Sequence, residues 1–164
     1  MSLSPDDDDQ KGPLRKSGGP GSFEGQERIV HGSCVALGAA GCLILGPSGA
    51  GKSSLALQMM ALGATLVADD RTVLRGFAEG GVIASCPAPI RRQIEARGIG
   101  ILAAETQAQV PLVLVVDLAQ QEKDRLPPQR VHSILGNDFA LVWGQDSPVF
   151  AAALMQYLKG GRRA

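Results

Sequence analysis

Residues 44 to 57 read ILGPSGAGKSSLAL and satisfy G-x-x-x-x-G-K-[ST], with Gly46, Gly51, Lys52 and Ser53 at the fixed positions. The pattern demands an apolar strand before it, a helix after it and a tight glycine turn between. Both neighbours fit. CLIL precedes, and KSSLALQMMAL follows with Leu55, Met59 and Leu62 at helical spacing and Gly63 as a C-cap. The chemistry behind the pattern is anion binding. Glycines admit backbone N–H groups to a phosphate, and the helix N-terminus adds its positive end. Lys52 reaches the outer phosphates, and the Ser53 hydroxyl stands where Mg2+ is held. Gly46, Pro47, Ser48, Gly49, Ala50, Gly51, Lys52 and Ser53 are therefore the expected nucleotide cradle. An ordinary glycine-rich turn leaves the lysine and serine unexplained.

The 164 residues suit one domain. Formal net charge is zero, which argues against a nucleic-acid surface. No apolar run reaches the roughly 18 residues that span a bilayer, and the acidic, Gly/Pro-rich start does not read as a signal or transit peptide. Cys34, Cys42 and Cys86 form no C-x-x-C pair and read as small core residues of a reducing compartment. Residues 1–28 hold too few apolar side chains to offset chain entropy and are expected to be a disordered tail, with a folded domain over 29–164. Within that domain, hairpins are expected around GAAG (38–41), GFAEGG (76–81) and GND (136–138). Short helices are expected over APIRRQIEARGIG (88–100) and SPVFAAALMQYLKG (147–160), the latter with Pro148 in its first turn. The expected fold class is α/β, a mixed sheet with few helices.

A phosphate-handling loop of this kind works with a carboxylate at the end of an apolar strand. Asp117, after PLVLVV, is one candidate. Asp69 and Asp70, after TLVA, are the other. A doubled aspartate can divide its roles, one carboxylate orienting and the other taking a proton, because two adjacent like charges favour a shared proton or metal. His31 reads either as a reacting-group neighbour or as a hydrogen-bonded histidine on a half-buried strand. Arg91 and Arg92 read as a solvated face or subunit contact.

Three elements in order, VHG, the loop with LVADD after one helix, and IEARGIGIL, resemble the catalytic domain of HPr kinase/phosphorylase over about residues 29–126. The resemblance implies a phosphoenolpyruvate carboxykinase-like fold containing the P-loop. It implies a cytoplasmic bacterial kinase that uses ATP and Mg2+ to phosphorylate a serine of an HPr-type phosphocarrier, and it implies a hexamer with no nucleic-acid or membrane partner. By the same resemblance Asp70 is the proton acceptor, Asp69 its neighbouring carboxylate, His31 a histidine near the reacting groups and Lys52 the phosphate lysine. Glu95 joins Ser53 as a metal ligand, Arg97 lies inside the signature, and Arg125 matches a catalytic arginine. Asp117 is then a strand-end polar residue.

Two departures accompany the likeness. The chain is expected to be the short form without the N-terminal domain. In place of the arginine-bearing C-terminal loop that the family links to dephosphorylation stands WGQDSPVF, so the kinase direction is the better supported one. The rival readings are another small P-loop metabolite or nucleotide kinase, for which no arginine-rich lid is evident, and a nucleotide-gated binding module, which would tolerate loss of Asp70.

Overall fold

The computed structural model describes residues 25–164, and residues 1–24 of the expected tail lie outside them. The first strand, β1 (Glu27–Leu37), begins two residues ahead of the expected boundary at Ile29. It turns at Gly38–Ala39 into β2 (Ala40–Leu45), giving the antiparallel hairpin expected there. The glycine-rich loop then leads into α1 (Lys52–Ala61), which ends at Leu62 before Gly63 (φ 111°). After β3 (Thr65–Ala68) and β4 (Arg71–Gly76), β5 (Val82–Ser85) folds back on β4, again as expected. A 3-10 turn at Ala88–Ile90 precedes β6 (Gln93–Ala96) and β7 (Gly100–Ala103). The chain closes with β8 (Gln109–Gln121), β9 (Arg130–Ile134), β10 (Asn137–Gly144) and α2 (Phe150–Gly160).

Eight strands form one mixed sheet ordered β2-β1-β4-β5-β8-β10-β9, with β3 beside β1 and an added pairing of β2 with β8. The long strands β1 and β8 make this possible. The first half of β1 pairs with β4, and its second half pairs with β2 and β3. The start of β8 pairs with β5, and its later part lies parallel to both β2 and β10. The sheet therefore folds over on itself and buries both faces of its central strands. One core cluster, with Val35, Cys42, Ile44, Leu114 and Val116, packs under Leu55, Met59, Phe150 and Leu154 of the two helices. The other, with Cys34, Leu43, Val115, Leu74, Val110 and Phe139, fills the inside of the fold-over. Neighbouring residues such as Cys42, Leu43 and Ile44 alternate between these cores, which is why CLIL reads as an unbroken apolar run.

Four expectations are corrected. Residues 88–100 do not form the expected short helix. They make the 3-10 turn and the β6–β7 hairpin. Ile94 and Ala96 are buried while Gln93 and Glu95 are exposed, a period of two, and Gly98 (φ 80°) and Gly100 (φ 139°) hold backbone angles that a helix excludes. β8 does not exit at Asp117 but runs on to Gln121. The β9–β10 turn is Leu135–Gly136, one residue earlier than GND. Both residues are left-handed (φ 49° and 76°), as a two-residue hairpin turn requires. Finally, α2 starts at Phe150, so Pro148 lies just ahead of it.

All three cysteines are free and buried, as expected. Burial pushes Cys42 up to about 12 and raises Cys34 well above the usual thiol range, helped by its neighbour Cys42. Burial also raises Cys86. Thiols held neutral in this way are inert packing groups. Among the described residues no helix is long and apolar enough to cross a membrane.

Candidate active site

The loop between β2 and α1 is held by its own backbone. The N–H of Ala50 donates to the Pro47 carbonyl at 3.1 Å. Gly51 (φ 95°) caps α1 without any side-chain partner, and no acid occupies the first turn, so the positive end of the helix is uncompensated. Lys52 is only 7% exposed. Its ammonium donates to the carbonyls of Gly46 and Pro47 at 2.9 and 3.0 Å, which fixes it along the inside of the loop.

The carboxylate pair sits where β3 and β4 follow one another along the same edge of β1. Cys34 lies opposite Ala68, and His31 lies opposite Arg71. Counting inward on this register, Ser33 falls opposite Asp69 and Gly32 opposite Asp70. Asp69 is buried, and its Oδ1 accepts from the hydroxyls of both Ser33 and Ser53 at 2.7 Å. Its Oδ2 accepts the Glu95 N–H at 3.0 Å. Asp70 is exposed, and its Oδ1 lies 2.7 Å from His31 Nε2. A carboxylate only accepts, so the imidazole donates from Nε2.

His31 and Ser33 are two apart on β1 and share a face, so both carboxylates reach that face although they are consecutive. A regular strand would send them to opposite sides. The exception is local. Asp70 has φ 66°, and the Arg71 N–H donates to the Asp69 carbonyl at 2.8 Å across it, closing a γ-turn of the rare positive-φ kind. Such a backbone costs on the order of 1–3 kcal/mol and persists only where its surroundings fix it.

The β6–β7 hairpin adds the third side of the cleft. Ile94 is anchored in the core with Leu55 and Met59, and alternation then turns Glu95 outward beside the loop. Arg97 follows at the hairpin turn. Its guanidinium stands 3.9 Å from where a side chain on Gly49 would begin. The cleft is lined by His31, Lys52, Ser53, Asp70, Glu95 and Arg97, with Ser48, Gly49, Gly51 and Ser54 completing the loop side. The remaining loop residues Gly46, Pro47 and Ala50 are outside the lining, and the carbonyls of Gly46 and Pro47 hold Lys52.

Two expected residues stand apart. Asp117 accepts the Ala119 N–H within its own strand and is not part of the cleft lining. Arg125 is exposed on the β8–β9 loop, also outside the lining. That loop is held at both ends. At one end Glu122 accepts from Arg130, whose guanidinium stacks 3.7 Å from the Trp143 ring centre. At the other, Arg162 donates to the carbonyls of Pro127 and Pro128. Burial alone would raise the Glu122 carboxyl, but the N–H groups of Asp124 and Lys123 and the Arg130 guanidinium hold it below its usual value. Sequence reasoning missed Ser33. Its signal is its position two residues after His31, on the same strand face.

The family model described as the HPr serine kinase C-terminal domain matches residues 24–134. The chain is 40% identical over 103 residues to the HPr kinase/phosphorylase of Caldanaerobacter subterraneus subsp. tengcongensis, covering 58% of this chain and 34% of that one. To the HPr kinase/phosphorylase of Bordetella petrii it is 36% identical over 113 residues, covering 62% and 37%. The chain thus spans about a third of the length of the curated relatives it matches. The solved structure of the HPr(Ser) kinase/phosphatase from Coxiella burnetii superposes with a TM-score of 0.68 at 23% identity, over 80% of this chain and 94% of that chain, a likeness of fold.

Proposed function

The chain belongs to the HPr serine kinase C-terminal domain family, and from that membership and its cleft geometry we propose that it transfers the γ-phosphoryl group of ATP to a serine of an HPr-type phosphocarrier protein. One observation carries this reading. A single strand face presents two adjacent carboxylates in different states, Asp69 buried and bonded to the loop serine Ser53, and Asp70 exposed beside His31.

Phosphoryl transfer depends on positioning and charge stabilisation, with one group to take the hydroxyl proton. In this reading the loop is a P-loop whose N–H groups and Lys52 hold the ATP phosphates. Asp70 accepts the proton of the acceptor serine, and His31 orients that carboxylate through its 2.7 Å bond. Arg97, over the loop tip, adds positive charge at the transferring oxygens. The residues present fit magnesium. The Ser53 hydroxyl and the carboxylates of Asp69 and Glu95 are hard oxygen donors, and Mg2+ takes one or two carboxylates together with substrate phosphates. Among the described residues no group of three or more His, Cys, Asp or Glu side chains is gathered to hold a metal ion. When bound, it neutralises phosphate charge.

The same proposal includes a phosphoenolpyruvate carboxykinase-like fold for the folded domain 29–164, a cytoplasmic location, and an oligomer, hexameric by family resemblance, without nucleic-acid or membrane partners. Arg125, exposed on a loop fixed at both ends and outside the cleft lining, is kept in the proposal as a catalytic arginine on family resemblance alone. Phosphorolysis of the product is proposed as the weaker direction, since Asp146 is the only charge in the segment 144–150. The test is incubation with γ-labelled ATP, Mg2+ and an HPr-type carrier. Label on a carrier serine is expected. An unlabelled carrier under conditions where ATP demonstrably binds would overturn the reading.

A further inference from the structure

The strained turn that brings both carboxylates to one face needs something to hold it, and the holding group is on the strand behind it. Asp70 is fixed through its backbone. Its carbonyl accepts the Gly32 N–H at 2.9 Å. Gly32 is fixed in turn from two directions. On the β2 side there is no space for a side chain, because a Cβ on Gly32 would lie 2.8 Å from the Ile44 carbonyl oxygen. On the β4 side the hydroxyl of Thr72 donates to the Gly32 carbonyl at 2.9 Å. Thr72 is fully buried. Strand alternation puts it with Leu74 on the inner face, away from the carboxylates. A hydroxyl in that core is an anomaly unless the bond it makes is needed, since a valine would fill the space with no polar group to satisfy.

We propose that Thr72 is a positioning residue for the phosphoryl transfer: its buried hydroxyl clamps Gly32, Gly32 clamps the Asp70 backbone, and this chain holds the positive-φ turn that aims Asp70 at the acceptor beside His31. Thr72 touches neither nucleotide nor acceptor and acts only through Gly32. The proposal rests on the reading of Asp70 as proton acceptor. It adds what sets that residue's direction.

The consequences differ from those of a merely stabilising hydroxyl. In Thr72→Val the methyl groups keep the packing and only the donor is lost. The turn then samples ordinary strand geometry, in which the Asp70 carboxylate points away from His31. The maximal rate of carrier phosphorylation falls about 10- to 100-fold, the cost of misplacing a reacting group by an ångström or so. The KM for ATP stays at its wild-type value, since the loop and Lys52 are untouched. Thr72→Ser keeps the donor and restores the rate.

The experiment measures kcat, KM for ATP and amide hydrogen exchange by NMR for the wild-type protein, Thr72→Val and Thr72→Ser. The amides of Gly32 and Arg71 report the clamp and the turn directly, whatever the protein phosphorylates. Selective loss of protection at these two amides in Thr72→Val, with kcat lowered, KM kept and both restored in Thr72→Ser, supports the proposal. A wild-type kcat in Thr72→Val overturns it. So does a uniform loss of protection with kcat and KM worsening together, which would mark a purely structural role, or a serine variant that rescues nothing. If the wild-type protein labels no carrier, the proposed function fails separately, and the exchange data still decide the clamp: selective deprotection upholds it and unchanged protection removes it.

Discussion

At position 70 the backbone and the side chain make separate demands. The left-handed backbone tolerates Asp or Asn better than most residues, and the proposed chemistry needs an ionised oxygen. Asp70→Asn meets the first demand and fails the second, so it isolates the chemical role. Its phosphorylation rate is expected to fall by about 10²–10⁴, as loss of a general base alone predicts, while calorimetry shows ATP affinity unchanged. Lys52→Ala is expected to weaken ATP binding and transfer together, because its ammonium lines the inside of the loop. Asp117→Asn should transfer at the wild-type rate, since that carboxylate accepts the Ala119 N–H of its own strand and lies outside the cleft lining. A normal rate in Asp70→Asn with a lost one in Asp117→Asn would reverse the assignment of the base.

The β6–β7 hairpin is the element whose contribution depends most on packing. Ile94 is its one deep anchor under α1, and Glu95 and Arg97 are placed by what Ile94 does. Ile94→Ala is expected to lower unfolding free energy by about 2–5 kcal/mol and to reduce transfer more than its melting curve explains, because both polar residues lose their mount. The β8–β9 loop carries a pH dependence. The Glu122 carboxyl is held below its usual value, so its contribution is complete above the unfolded Glu value of about 4.3 and is lost as the pH falls through the lowered native value. Melting temperature in acid should therefore fall less steeply in Glu122→Gln than in the wild-type protein. These two elements also mark where the sequence could be read and where it could not. The loop and α1 were legible because glycine spacing and helical periodicity are both local. IEARGIG was misread as a helix because its four alternating residues are too few to outweigh the apparent helical composition. Its two glycines, Gly98 and Gly100, are the turn and strand start of a hairpin. The long β8 was cut short because a charged residue at the end of an apolar run looks like an exit, although the strand continues along its β10 neighbour.

At the scale of the molecule, the sheet folds over because β1 and β8 each serve two sets of partners, and no local signal announces a strand shared in this way. In LVLVV only Leu114, Val115 and Val116 are buried in succession, while Val113 is exposed. The unbroken apolar run CLIL did announce a strand buried on both faces, and that much of the architecture was legible. So was the order of site residues along the chain. What was not legible is that Asp69 and Asp70 reach one face, since alternation predicts the opposite and only the backbone at Asp70 reverses it. Residues 1–24 lie outside the described structure, and among the described residues the cleft lining begins at His31. A chain shortened by those 24 residues is expected to phosphorylate the carrier at the full-length rate. A loss of activity on shortening would assign the segment to assembly or to the site.

The pairing of β1 with the β3–β4 edge has a consequence for refolding. His31 and Ser33 meet the two aspartates only in one register, and a slip of a single residue would turn both away together. The irregularity between Cys34 and Val35 and the tight fit of Gly32 against β2 both pin that register. A misregistered molecule would thus lose its base and its loop contact in one event, with no half-competent state between. Refolded material should consist of fully competent and wholly silent molecules, so that yield changes the number of working sites and leaves the turnover of each one constant.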